Sequence, residues 1–98
     1  MRNVIVHPDA LEEIFVSANY VDQKRPGYGE KLLDEIARAY SRISEEPQQW
    51  NIGLYGYRKY VVQHFGYVVW YKETGENLYV VAVHHGSRKP GYWKEREF

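Results

Sequence analysis

The side chains best suited to chemistry in this chain are cations and aromatic rings in its second half. Guanidinium and ammonium groups bind phosphate or carboxylate, and flat rings stack on nucleobases or anchor protein interfaces. The set comprises Arg58, Lys59, Arg88, Lys89, Tyr92, Trp93, Lys94 and Arg96. It predicts contact with another macromolecule, either a protein or a nucleic acid.

A catalytic role for this set would require an acid and a base within proton-transfer range of the positive charges. The candidates of suitable type are Arg58, Lys59, His85, Arg88 and Tyr92. The serines lack the glycine-flanked turn of a catalytic nucleophile, and the carboxylates recur beside Lys or Arg at helical spacing, as on solvated faces. The sequence therefore leaves enzymatic activity open and favours binding.

Neither a metal ion nor a cofactor is expected. His84 and His85 are adjacent in an apolar run typical of a β-strand, so their side chains point to opposite faces of a sheet and do not converge on one ion. We expect one of them to cover the end of the core and the other to be exposed. The chain has no cysteine, and its glycines do not form a phosphate-binding loop before a helix.

Length and composition indicate one domain, residues 1–98, in the cytoplasm. The sequence has no cysteine, no apolar run long enough for a membrane span, and no signal-peptide pattern in its first residues. Residues 1–50 hold 6 basic and 9 acidic side chains, whereas residues 51–98 hold 7 and 4. The second half is therefore the half expected to face an anion.

The first half has the periodicity of two amphipathic helices after a short strand over residues 3–7. A first helix is predicted from Pro8 to about Lys24, and a second from Tyr28 to about Glu46, with Pro26-Gly27 between them. The apolar stripe of the first helix is Leu11, Ile14, Phe15, Ala18 and Val21, and that of the second is Leu32, Leu33, Ile36, Ala39, Tyr40 and Ile43.

The second half predicts three strands, because residues 55–64, 66–72 and 78–85 are rich in Val, Tyr and Trp. The fold class is therefore α+β in the order β-α-α-β-β-β, with a helical hairpin packed on one face of an antiparallel sheet. The other face, together with the tail from Gly86 onward, is then expected to be free to present cations and rings to a partner.

Three stretches carry a resemblance to a known family. "SANYVDQKRPGYGEKLLDEI" (residues 17–36), "YRKYVVQHFGYVVWY" (57–71) and "VVAVHHGSRKPGYWKERE" (80–97) are similar, in this order, to the RelE/ParE superfamily of toxins from type II toxin-antitoxin modules. The resemblance extends from about Val4 to Arg96. It implies that the turn containing Arg88 delivers this arginine to the functional surface.

The superfamily has two activities, and this chain is more similar to one branch. Arg58, Lys59 and Arg88 match cations of the ribosome-dependent mRNA nucleases, but Val61 and Val68 stand where further cations are expected. The near-neutral charge and the "RPGYGE" and "RKPGYW" stretches are more similar to ParE and the plasmid-stabilisation toxins, which implies inhibition of DNA gyrase by binding. An mRNA endonuclease, and a non-toxic module that only binds antitoxin, remain the alternatives.

The resemblance also implies the partners of the chain. A cognate antitoxin would fold a disordered segment across the helical hairpin and the sheet, giving a hetero-oligomer. The residues expected to contact the antitoxin are Leu11, Phe15, Tyr20, Tyr28, Leu32 and Trp70. Those expected to contact the target, which is gyrase or alternatively the ribosome and mRNA, are Arg58, Arg88, Lys89, Tyr92, Trp93 and Lys94.

Overall fold

A computed structural model describes residues 2–98. Its strands are β1 (Asn3–Val6), β2 (Arg58–Val61), β3 (Tyr67–Thr74) and β4 (Asn77–His85), and its helices are α1 (Pro8–Lys24) and α2 (Tyr28–Glu45). The predicted α+β class and element order are confirmed, and both helices begin at the predicted residues. β2 is shorter than predicted, because residues 54–56 form a short 3-10 turn in which Tyr55 has a left-handed backbone.

The two helices form a tight antiparallel pair because an aspartate near the end of α1 and a glycine near the start of α2 allow it. The carboxylate of Asp22 accepts hydrogen bonds from the backbone amides of Gly27 and Gly29, at 2.9 and 3.2 Å. A side chain at Gly29 would lie 2.5 Å from the carbonyl oxygen of Ala18. Only glycine therefore permits α2 to start this close to α1.

The sheet has the strand order β1-β4-β3-β2. β2, β3 and β4 form the predicted antiparallel meander. β1 pairs in parallel with the first half of β4, from Asn77 to Val80, so the sheet is mixed rather than wholly antiparallel. Residue patterns do not fix strand direction, and the long connection through both helices permits a parallel pair.

The main core lies between the helices and one face of the sheet. Ala10, Ile14 and Ala18 turn inward from α1, whereas Leu11 and Phe15 are 45% and 58% exposed. The prediction that Leu11 and Phe15, as part of the apolar stripe, face the core is therefore wrong, because the small residues Ala10 and Ala18 let α1 lie close to α2 and the sheet. The predicted stripe of α2 does supply core residues: Leu32, Ile36, Ala39 and Ile43.

The opposite face of the sheet is covered by the C-terminal tail, residues 86–98. Trp93 is fully buried there and packs 5.0 Å from the ring of Trp70, with Val81 and Ala82 in the same cluster. Tyr57 packs edge-on against Trp93 at 5.2 Å. The prediction of a free far face is wrong, because burying two indole rings stabilises the tail on the sheet.

Among residues 2–98, neither α1 nor α2 combines the length and the apolar character that a bilayer-crossing helix requires.

Candidate functional site

Glu13 of α1 is the point at which the tail is attached to the helices. Its carboxylate accepts two hydrogen bonds from the Arg96 guanidinium, at 3.0 and 3.1 Å, and one from the hydroxyl of Tyr92. It also accepts the backbone amide of Val83 at 3.2 Å, on the edge of β4 that β1 does not reach. One carboxylate thus joins α1, β4 and the tail, and its bonds are stronger than bonds between neutral groups because the shared acceptor is charged.

Arg88 is held in an open position beside this attachment. Its guanidinium lies 3.7 Å from the Glu13 carboxylate and stacks on the ring of Tyr92, 3.6 Å from the ring centroid. Its side chain nevertheless remains 54% exposed. The geometry therefore fixes the direction of a cation that solvent, and any bound partner, can still reach.

The rest of the predicted target set divides into exposed and buried residues. Lys89, Tyr92 and Lys94 are exposed, and Lys94 lies over the ring of Tyr55. Trp93 is fully buried in the cluster under the tail. The prediction that Trp93 contacts the target directly is therefore withdrawn, since its ring is already used to attach the tail to the sheet.

Arg58 does not share a surface with Arg88. Arg58 and Lys59 alternate onto opposite faces of β2: Arg58 donates to the carbonyl of Trp50 at 2.5 Å, whereas Lys59 lies over the ring of Trp70, on the face that the tail covers. Arg58 is level with Tyr71 in the sheet, whereas the end of β4 is level with Tyr67. The two positions are about 14 Å apart along the strands and about 10 Å across them.

The two adjacent histidines lie on opposite faces, as predicted. His84 is buried: Trp70 Nε1 donates to its Nε2 at 3.0 Å, and its Nδ1 donates to the carbonyl of His85 at 2.7 Å. These two bonds fix His84 as a neutral imidazole. His85 is exposed, and its Nδ1 accepts from the backbone amide of Ser87 at 3.1 Å.

Neither Tyr92 nor His84 is suited to act as a general base beside Arg88. Burial, together with the hydrogen bond to Glu13, raises the pKa of Tyr92 well above its usual value, so its hydroxyl stays protonated. Burial lowers the pKa of His84, and its Nε2 lone pair is already occupied by the indole of Trp70. Within residues 2–98, no group of three His, Asp or Glu side chains is arranged to hold a metal ion.

A cavity of about 280 Å³, here called the tail cavity, opens between α1 and the end of β4. Glu13 and Val16 of α1 form one wall, and His85 and Arg88 form the other. Its floor includes Tyr67. The predicted arginine therefore borders a concave site, as a target-binding or substrate-binding residue would.

A second cavity, here called the hairpin cavity, adjoins the first through Tyr67 and His85 and measures about 390 Å³. It lies between the turn that joins the helices and the turn that joins β2 to β3. Its rings are those of Tyr20, Tyr28, Phe65 and Tyr67, and its polar side chains are those of Lys24, Arg25, His64 and His85.

The outer surface of α1 carries the exposed apolar residues that lead to both cavities. Leu11, Phe15 and Tyr20, three of the predicted antitoxin contacts, are 45%, 58% and 57% exposed. Val16, which the sequence reasoning missed, is 61% exposed and lines the tail cavity. An apolar patch of this kind is typical of a binding surface.

The other three predicted antitoxin contacts differ in exposure. Tyr28 is half-buried in the hairpin cavity, with Arg25 and Lys31 stacked on it at 4.2 and 4.4 Å. Leu32 is fully buried in the main core and Trp70 is buried beneath the tail. Direct contact of Leu32 and Trp70 with a partner is therefore withdrawn, because the protein's own packing already covers them.

Sequence reasoning also missed Glu13 and Arg96 as the pair that attaches the tail. A glutamate in the first turns of a helix is common, so its type and position give no sign of a partner 83 residues away. For Val16 the sequence does give a weak signal of a binding surface, because this apolar residue does not belong to the inward-facing stripe of α1.

Comparison with known proteins agrees with this architecture. Residues 4–90 match the family model described as "ParE toxin of type II toxin-antitoxin system, parDE". The chain is also similar to proteins named Toxin ParE2 from Mycobacterium tuberculosis strains CDC 1551 / Oshkosh and ATCC 25618 / H37Rv, each 27% identical over 90 residues. These matches cover 91% of this chain and 86% of each relative. The chain therefore belongs to the ParE toxin family of type II toxin-antitoxin systems.

Proposed function

We propose that this protein inhibits DNA gyrase by binding to it through the exposed side of the tail, and that a cognate antitoxin prevents this. The contact residues are Arg88, Lys89, Tyr92 and Lys94. The observation that carries the proposal is the held but exposed guanidinium of Arg88, stacked on Tyr92 and steadied by Glu13. A preorganised cation at the rim of a cavity loses little conformational entropy when it binds.

Binding without catalysis fits the separation of the candidate residues. Cleavage of RNA would need Arg58, Lys59 and Arg88 around one phosphate together with a base. Arg58 instead donates to Trp50 at the far edge of the sheet, and Tyr92 holds its proton. The geometry therefore favours the gyrase hypothesis over the mRNA nuclease hypothesis.

Neutralisation by an antitoxin follows from the position of the apolar surface on α1. Phe15, Val16 and Tyr20 are exposed, and the two cavities beside them share Tyr67 and His85. A partner segment that covers this surface therefore comes to the wall of the cavity that contains Arg88. Both partners would be met in the cytoplasm, and the neutralised form would be a hetero-oligomer.

Induced expression of the chain alone in a bacterial host tests the proposal. Plasmid supercoiling and protein synthesis are followed side by side, with an Arg88→Ala variant as comparison. The proposal predicts early loss of negative supercoiling and arrest of growth with intact mRNA, both relieved in the variant. Relief of the arrest is informative only if the variant is folded and present in the same amount as the wild type, which circular dichroism and immunoblotting establish.

Two other outcomes would refute the gyrase proposal. Cleaved mRNA with unchanged supercoiling would assign the chain to the ribosome-dependent nucleases. Unchanged growth, supercoiling and protein synthesis, with folded protein present, would leave only the hypothesis of a non-toxic module that binds antitoxin.

A further inference from the structure

The hairpin cavity differs from other charged regions of the molecule in having no carboxylate in its wall. Lys24, Arg25 and two imidazoles line it together with four aromatic rings. The neighbouring cavity on α2 shares Tyr28 with it, yet contains Asp34 and Glu35 beside its cations. An anion is therefore favoured in the hairpin cavity and opposed in the neighbouring one.

The two cations of this cavity are not neutralised by the protein's own acids. Among residues 2–98, Arg2, Arg38, Arg88 and Arg96 each form an ion pair with a carboxylate, and Lys24 and Arg25 do not. The ammonium of Lys24 instead lies 5.4 Å from the ring of Tyr20. The guanidinium of Arg25 lies 4.2 Å from the ring of Tyr28.

These ring contacts hold the cations at the rim of the cavity. A cation stacked on a ring loses rotational freedom in advance, so less entropy is lost when it meets an anion. The nearby acid, Asp22, does not line the cavity, and its carboxylate accepts the amides of Gly27 and Gly29. The cavity is therefore prepared for a negative charge supplied from outside the chain.

The approach to the cavity is apolar. Val16, Tyr20 and Lys24 follow one another at four-residue spacing on one side of α1, and Val16 and Tyr20 are 61% and 57% exposed. A ligand that covers this stripe and reaches Lys24 must present apolar groups and then a negative charge. A polypeptide segment does this, whereas a nucleic acid strand would place phosphates against Val16 and Phe15.

We infer that the hairpin cavity binds an Asp or Glu side chain of a partner polypeptide, next to an apolar or aromatic residue of the same segment. Lys24 and Arg25 receive the carboxylate, and Tyr20, Phe65 and Tyr67 receive the neighbouring side chain. In the function proposed above, this segment belongs to the antitoxin, and the inference rests on that proposal for the partner's identity. The carboxylate then fixes the position of the segment that covers Arg88.

Selection of displayed peptides tests the chemistry without knowledge of the partner. A library of random 12-residue peptides is selected on the wild-type protein and on the double variant Lys24→Glu/Arg25→Glu. A second double variant, Arg38→Glu/Arg42→Glu, is the matched control, since it makes the same change of charge on α2 at exposed residues that do not line the hairpin cavity. All three proteins are first checked for equal folding by circular dichroism and thermal unfolding.

The inference predicts that peptides selected on the wild type share an Asp or Glu within two positions of an apolar or aromatic residue. The Lys24→Glu/Arg25→Glu variant should lose these peptides, and the control should retain them. Replacing the shared acid by its amide in a synthetic peptide should weaken binding at least ~10-fold, as expected for loss of a charge-assisted hydrogen bond.

Three results would overturn the inference. One is a set of selected peptides without a shared acid, and another is equal binding of the same peptides to both double variants. The third is displacement of the peptides by single-stranded RNA or a mononucleotide at similar affinity, which would assign the site to nucleotides. Peptide binding does not depend on toxicity, so failure here and failure of the gyrase proposal are separate outcomes.

Discussion

The two cationic ends of this molecule differ in how their charge is balanced. At the tail, Arg88 and Arg96 are paired with Glu13, so their positions are set by the protein itself. At the helical hairpin, Lys24 and Arg25 lie on aromatic rings and pair with no carboxylate among residues 2–98. We infer that the tail presents one partner with cations whose positions the protein itself sets, whereas the cations of the helical hairpin receive their counter-charge from a second partner.

Removing the indole ring of Trp93, which attaches the tail to the sheet, should have the largest effect on stability. We expect Trp93→Ala to lower the free energy of unfolding by about 3–5 kcal/mol, since it empties a fully buried indole site. Trp93→Phe is the matched control and should cost much less, because the Trp93 Nε1 has no hydrogen-bond partner within residues 2–98. Urea unfolding measures both values, and equal losses would contradict the account.

Removing the carboxylate at the tail should have the next largest effect. We expect Glu13→Gln to lower the free energy of unfolding by about 2–3 kcal/mol, since it leaves Arg96 only its 3.8 Å ion pair with Asp9 and weakens the bond from Tyr92. Hydrogen exchange at the tail amides should rise in parallel. Glu12→Gln, on the exposed side of the same helix turn, should change neither quantity by more than about 0.5 kcal/mol.

The free energy of unfolding should also depend on pH, through the protonation of His84. Its pKa is lowered by burial, so the unfolded chain binds a proton more readily than the folded protein. The folded state is thus favoured above the ordinary histidine pKa of about 6.5 and loses stability as the pH falls below it. The nearby charges act in both directions, since Glu13 favours the protonated form whereas Arg88 and Lys59 oppose it.

A neutral replacement isolates this effect. His84→Asn keeps an acceptor for the Trp70 indole but removes the titrating group. The decrease in unfolding free energy between pH 7.5 and pH 5.0 should therefore be smaller in the variant than in the wild type. The same decrease in both proteins would show that His84 does not couple the tail to pH.

How far the sequence predicted the molecule depended on the range of the interactions. Helical period and turn residues act locally, so α1, α2, β3 and β4 were predicted with close boundaries, whereas β2 is shorter than predicted. The inward face of α1 was predicted only in part: Ile14 and Ala18 are buried as expected, but Ala10 faces the core in place of Leu11, because close packing selects a small residue there that hydrophobicity alone does not reveal. The tail was predicted to be free, since the pairing of Glu13 with Arg96 spans 83 residues and leaves no local signature.

The candidate site shows the same limit. Residue type was enough to select Arg88 and Tyr92, which do lie together. It also grouped Arg58 with them, although β3 separates β2 from β4 in the sheet. Spatial grouping of cations required the strand order, which no single residue encodes.

Arg88→Ala should have the smallest effect on stability. The side chain is 54% exposed and its ion pair with Glu13 is 3.7 Å long, so the free energy of unfolding should fall by less than about 1 kcal/mol. Thermal unfolding measures this change. A loss as large as that of Glu13→Gln would mean that Arg88 serves the fold rather than a partner.

The most direct test of the central claim is a supercoiling assay with purified DNA gyrase and the purified protein. The account predicts that the wild type inhibits supercoiling and that Arg88→Ala, equally folded, inhibits at least ~10-fold less, as loss of a charged contact implies. Full inhibition by Arg88→Ala, or no inhibition by the folded wild type, would contradict it.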